Sequence, residues 1–309
     1  MSQALDVIGV GDAGLDIFLE VEHVPGPDEK VRAKNSVSLP GGMVVNFLVD
    51  LSRLGTSCGF HGLVGEDEPG RILLDDLEAN GVDLAGAITR PGRTYSCVVM
   101  VYPSGEKSLV IVPSECMFLR PEDVSVDFLR RARHVHTTSG NFATAVTVTR
   151  IARSQGITVS LDLESDSIDL HNDIYGLVRS VDVLFLNRRA LESICGAPPE
   201  RDLVQSLSGL GPSVVCVTLG RSGAVVVERG REIRTEALAV EAKDSTGAGD
   251  GFCAGFICGM LRRWPTVDSL RLASAVAARC VTRIGGHEGA PTMAEARDLL
   301  AAHGMTLPA

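Results

Sequence analysis

Asp244-Ser245-Thr246-Gly247-Ala248-Gly249-Asp250-Gly251-Phe252 is the stretch from which the rest of this 309-residue chain can be read. It opens an apolar run, Gly249 to Arg263, with helical spacing. Gly247, Ala248 and Gly249 let the backbone approach an anion closely, and the unpaired N–H groups of a helix start point at it with the helix dipole behind them. Asp250 falls in the first turn beside that hole. A lone Asp there would read as ordinary helix-start chemistry, but Gly-Ala-Gly-Asp after Asp-Ser-Thr is more than capping requires. Phosphoryl transfer asks a protein for this pair of functions, positive potential around the moving group and a carboxylate that orients the attacking hydroxyl. The dipole predicts a lowered pKa for Asp250, hence a weak base whose main task is orientation.

Outward from this loop, a second helix is predicted over Val267 to Ile284, after the break at Trp264-Pro265. Upstream, strand candidates at His134 to Thr138, Ile157 to Leu161, Val183 to Leu186 and Val214 to Thr218 alternate with helical stretches. That rhythm is a mostly parallel sheet covered on both faces. Nearer the start, Asp6 to Val10 is a short strand, Leu15 to Glu22 alternates with period two, and Val44 to Leu54 is a helix closed by Gly55. Runs at 95–102 and 107–112 flank Pro103-Ser104-Gly105-Glu106 as a hairpin. With strands near 15–22 and 33–39 the hairpin forms a small accessory sheet. The expectation is one α/β domain over residues 1–309, with lid strands drawn from about 15–40 and 93–113.

The formal charge of -10 and the lack of a Lys/Arg-rich run argue against nucleic acid or an anionic membrane as partner. Eight cysteines are scattered without a C-x-x-C pair, which suits buried thiols in a reducing compartment rather than zinc or disulfides. The start MSQALDVIGV does not read as a signal peptide, and no stretch reaches the ~20 apolar residues of a membrane span, so a cytoplasmic protein is expected. Gly9-Val10-Gly11-Asp12-Ala13-Gly14 satisfies G-x-G-x-x-G after a strand, but an alternating strand follows it where a dinucleotide site needs a helix. It reads instead as a Gly-rich crossing where a ligand or backbone comes close.

Asp244 to Phe252, with Ser245 as a mild variant of D-T-x-G-A-G-D, and Gly41-Gly42-x-x-x-Asn46 ahead of an apolar helix together resemble the two signatures of the ribokinase or PfkB-type carbohydrate kinases. The resemblance implies a ribokinase-like three-layer α/β/α domain with a mostly parallel central sheet and a small β-sheet lid. It implies ATP-dependent phosphorylation of a hydroxyl on a small sugar or sugar-like substrate, with Asp250 as base and Gly247, Ala248 and Gly249 as the anion hole. Asp16, Gly41, Gly42 and Asn46 match the acceptor-binding positions. By alternation alone Asp16 could face outward, and Asn46 could be a helix-start cap. Asn187, the turn at Thr218, Gly220 and Gly223, and Ser274 match nucleotide-binding positions. Asp244, Thr246 and the carbonyls near Val281, Ile284 and Gly286 match a monovalent-cation site, so K⁺ is implied beside ATP and Mg²⁺. Lid sheets of this family often pair subunits, which makes a homodimer through the lid an expectation.

The chain departs from the family at several places. Ala190 stands where an N-x-x-E element would supply a Glu, with Glu192 further along; Gly14 and Met43 replace the Asn and Lys of ribokinases proper. No sugar-binding Glu is evident in Thr138-Ser139-Gly140-Asn141, and the acidic Asp162, Glu164 and Asp166 disfavour sugar acids. Arg90 and Arg93 keep an anionic acceptor open. A nucleoside is the alternative acceptor, with Tyr95 and Tyr102 near the lid, and a non-catalytic ligand-sensing homologue is the rival of another class.

Overall fold

Period-two apolar residues place the first strand, β1 (Leu5–Val10), at the heart of the protein: Val7 packs on one face of the main sheet and Ile8 on the other. The computed structural model describes residues 4–104, 106–165, 168, 173–195 and 201–309. Asp166 and Gly105 lie outside the described residues, as does the side chain of Cys195. After β1 the chain builds β2 (Gly14–Glu20) and β3 (Asn35–Gly41) away from the main sheet, then returns through helix α1 (Met43–Arg53) to β4 (Cys58–His61). A short parallel pair, β5 (Leu63–Gly65) and β6 (Ile88–Arg90), brackets α2 (Glu68–Ala79). The hairpin follows as β7 (Ser96–Val101) and β8 (Lys107–Val112).

From there the predicted alternation runs through α3 (Val126–Leu129), β9 (Ala132–Thr138), α4 (Phe142–Ser154), β10 (Thr158–Leu163), α5 (Ile174–Arg179), β11 (Val183–Asn187), α6 (Arg188–Cys195), α7 (Arg201–Gly209) and β12 (Val214–Thr218). The antiparallel β13 (Ala224–Glu228) and β14 (Arg231–Thr235) close the edge, and α8 (Ala248–Leu261), α9 (Thr266–Cys280) and α10 (Met293–Ala302) complete the chain. The main sheet has the order β14-β13-β12-β11-β10-β9-β1-β4, parallel from β4 to β12. One face carries Phe47 and Leu51 of α1 with Phe256 of α8 and Val276 of α9; the other carries Val148 of α4 and Val178 of α5. Each such fully buried side chain contributes about 1.5–3 kcal/mol of burial free energy, which is why the helices sort to two layers. No helix among the described residues is long and apolar enough to cross a membrane.

The second sheet has the order β3-β2-β7-β8, with β2 and β7 parallel and a small core of Phe18, Cys97, Val99 and Val101. At the Gly-rich crossing it is side chains that come close, in place of the ligand or backbone expected there. A Cβ on Gly9 or Gly11 would lie 2.8 or 2.5 Å from Val44 side-chain carbons, and one on Gly14 would lie 2.4 Å from the Tyr95 ring. These glycines seat α1 on β1, and β2, not a helix, follows. The helix predicted to reach Ile284 stops at Cys280, and the Gly285-Gly286 segment beyond it turns back toward the start of α8.

Candidate active site

Two helix starts meet here. Gly247, at the start of α8, has φ +73°, and a Cβ on it would lie 1.6 Å from the carbonyl oxygen of Gly286. Gly42, at the start of α1, has φ +107°, and its Cβ would lie 2.8 Å from the Asp12 carbonyl. Both conformations belong to glycine, and both leave helix N–H groups facing a shared space. One turn into each helix, Asn46 Nδ2 donates to Asp250 Oδ2 at 2.8 Å. A cavity of about 550 Å³ lies over this junction, lined by Gly42, Asn46, Gly247, Gly249 and Asp250.

Acids dominate its wall. Asp16, on β2, is 6% exposed and lies so close to β3 that a Cβ on Gly41 would come within 2.2 Å of its Oδ2. Burial and, after it, the neighbouring Asp12 push the Asp16 pKa up to about 7. Asp12 accepts from the Tyr95 hydroxyl at 2.6 Å and from the Met43 N–H at 3.2 Å through Oδ2, while its buried Oδ1 has no hydrogen-bond partner among the described residues. Asp162 and Glu164 at the end of β10 line the same cavity, and burial raises Asp162 to about 7. The expected lowering of the Asp250 pKa does not hold. Burial pushes it well above the usual carboxylate range, against the Asn46 hydrogen bond that lowers it, and Asp162 and Asp12 add to the rise. Loss of water outweighs a half-charge dipole when the carboxylate lies this deep.

Among the described residues the cavity lining holds one Lys or Arg side chain, Lys107 of β8. Its Nζ donates to Thr246 Oγ1 at 2.9 Å, which ties the small sheet to the anion loop. Burial pulls its pKa down, with Asp244, Asp250 and Asp16 opposing.

A second cavity of about 290 Å³ is lined by Gly220, Gly223, Ser274 and the apolar Leu238, Val240 and Ala277. Thr218, Ser245 and Gly249 border both cavities, which therefore run into one another at the start of α8. Asn187 lines the first cavity and spends its Oδ1 on the Ala190 N–H at 2.8 Å, as the cap of α6. The Ser274 hydroxyl donates to the Leu270 carbonyl at 3.0 Å. Arg221, in the turn between Gly220 and Gly223, adds a cation that sequence reading passed over.

The expected cation ligands gather behind the anion loop. Asp244 Oδ1 accepts from the Thr246 N–H and hydroxyl at 3.0 and 2.7 Å, and its Oδ2 accepts from the Gly285 N–H at 3.1 Å. The Val281 carbonyl already accepts from the Lys243 and Asp244 N–H groups at 2.8 and 3.3 Å. Two donors fill a carbonyl's lone pairs, so Val281 leaves the candidate set while Ile284 and Gly286 stay in it. Arg90 is ion-paired with Asp123, Arg93 is exposed, and neither lines the cavity; Tyr102 and Glu192 do not line it either. Tyr95 does. Besides Arg221, sequence reading missed Asp12 and Lys107, which line the first cavity, and His287, whose Nδ1 lies 2.9 Å from Asn46 Oδ1. Asp12 sat inside the rejected glycine motif, and the two others are drawn in from distant elements.

The chain matches the description "pfkB family carbohydrate kinase" over residues 4–293. It is 31% identical over 286 residues to an ATP-dependent ribose-1-phosphate kinase of Halopiger xanaduensis, covering 92% of this chain and 93% of that one. It is 28% identical to a nucleoside kinase of Methanothermobacter thermautotrophicus, covering 96% of each. Its fold superposes on the Arabidopsis thaliana ribokinase complexed with ribose and ATP with a TM-score of 0.81 at 26% identity, covering 96% and 99% of the two chains.

Proposed function

Because this chain belongs to the pfkB family of carbohydrate kinases, and so transfers a phosphoryl group from ATP to a hydroxyl of a small sugar or sugar-like acceptor, we propose that Asp250 orients and deprotonates that hydroxyl and that the acceptor is uncharged. The observation that carries the proposal is the Asn46–Asp250 hydrogen bond, which fixes the carboxylate in the first turn of α8, in a cavity that Gly247 and Gly249 also line. The raised pKa of Asp250 makes it a better base than a helix start alone would. Asp16 and Asn46 offer an acceptor and an amide to vicinal hydroxyls; the bare Cα of Gly41 makes room for the Asp16 carboxylate itself, and Gly42 lines the cavity beside them. Asp12, Asp16, Asp162 and Glu164 would repel a phosphosugar, and Lys107 is engaged at Thr246, where the phosphoryl group would arrive.

The apolar second cavity fits a purine ring, and Thr218, Ser245 and Gly249 mark the passage from it toward Asp250. A Mg²⁺ ion would be carried by the phosphates and keep most of its waters. Asn187 and Asp162, which line the first cavity, would be oxygen donors to such an ion, which would supply charge neutralisation to the phosphates. Asp244, Thr246, Ile284 and Gly286 would hold K⁺. The small sheet serves as a lid that excludes water, and its outer strand serves as a homodimer contact. Seven buried free cysteines among the described residues support a reducing cytoplasm.

A nucleoside is the second reading, favoured by the apolar Leu109, Ile111, Met117 and Phe118 that line the same cavity as Asp16. An ADP-release screen of neutral sugars, nucleosides and phosphosugars, with and without K⁺, separates these. We expect turnover on an uncharged acceptor, and Asp250→Asn should lower it about 10³-fold with ATP binding retained. Turnover confined to phosphosugars, or a near-normal Asp250→Asn enzyme, would sink the proposal.

A further inference from the structure

Asp250 can engage an acceptor hydroxyl only if Asn46 presents its donor end. An asparagine amide has a donor end and an acceptor end of nearly the same shape, and turned over it would set its carbonyl oxygen against the carboxylate. Asn46 is 3% exposed, so bulk water does not sort the two orientations. What faces its other end is His287, whose Nδ1 lies 2.9 Å from Asn46 Oδ1. The network has one consistent direction when Asp250 is a carboxylate. Asp250 accepts from Asn46 Nδ2, Asn46 Oδ1 accepts in turn, and His287 Nδ1 carries the hydrogen.

His287 is held from behind. It is 5% exposed, and Asp76 Oδ2 of α2 lies 3.2 Å from its Nε2 without the alignment of a hydrogen bond. The residue before it presses on the same amide, since a Cβ on Gly286 would lie 2.2 Å from Asn46 Oδ1. The Gly286 carbonyl in turn abuts Gly247 of the anion loop. Residues 286 and 287 thus back both the amide that serves Asp250 and the loop that serves the phosphoryl group.

We propose that His287 is a positioning residue for the phosphoryl transfer: its Nδ1 hydrogen locks the Asn46 amide, which holds one oxygen of Asp250 and leaves the other for the acceptor hydroxyl. The proposal rests on the kinase reading, which wild-type turnover of D-ribose or adenosine tests separately. His287→Leu should lower kcat about 100-fold, the scale of a misplaced catalytic group, with the KM for ATP changed less than about threefold. His287→Gln, which keeps a donor, should recover most of the rate. In an Asn46→Ala background His287→Leu should cost almost nothing further, because both act through one amide. Additive losses in that cycle would overturn the proposal, as a purely structural role predicts them. Should His287→Leu not fold, ¹⁵N-histidine NMR of the wild-type protein decides: a resonance abolished by His287→Gln should show a protonated Nδ1, and an unprotonated Nδ1 overturns the assignment.

Discussion

Asp16 and Asp250 show how far burial overrides local chemistry. Each is an ordinary carboxylate by sequence, and each is pushed up once water is removed, Asp16 to about 7. For Asp16 the sign has two consequences. The folded protein keeps the proton to about pH 7 and the unfolded chain releases it near 3.8, so Asp16 lowers stability as pH rises across that window. Acceptor hydroxyls, as donors, favour the carboxylate. The acceptor KM should therefore fall as pH rises through about 7, and Asp16→Asn should flatten that dependence in a KM–pH profile.

At the scale of elements, strand β8 joins the two halves of the site. Its period-two alternation turns Lys107, Leu109 and Ile111 to the cavity, so a strand of the small sheet delivers the cation that the α1 start, with Met43, lacks. The hairpin was legible in sequence from two β-rich runs around a turn. Its docking onto Thr246 was not, because 139 residues separate Lys107 from Thr246. Lys107→Met should lower kcat about 100-fold, the scale of a charge presented at the loop proposed to hold the moving phosphoryl group. Lys107→Arg should keep more activity than Lys107→Met in the same steady-state assay.

On the scale of the whole molecule, β8 is also the outer strand of its sheet, and on the face turned away from the cavity Val110 and Val112 are 52% and 41% exposed. An apolar edge of this length favours pairing unless it is covered. We expect a dimer through this edge in sedimentation at micromolar concentration, and Val110→Lys should shift it to monomer while the protein stays folded. A wild-type monomer across that range would remove the lid-to-lid contact.

The sequence by itself determined what depends on near neighbours. The two helices, expected from Val44 and Gly249 and found to start at Met43 and Ala248, the alternation of β2 that dismissed the glycine motif and the parallel rhythm from β9 to β12 follow from local spacing, while the proposal of Asp250 as base came from its loop and the two-signature resemblance. Tertiary structure decided what depends on distant segments meeting. Asn46 reaches Asp250 across 204 residues, and His287 reaches Asn46 across 241. Asp12, Lys107 and His287 carry no local pattern that marks them. Nor could spacing foretell the Asp250 pKa, because a helix dipole is local whereas desolvation is the sum of everything packed around the carboxylate.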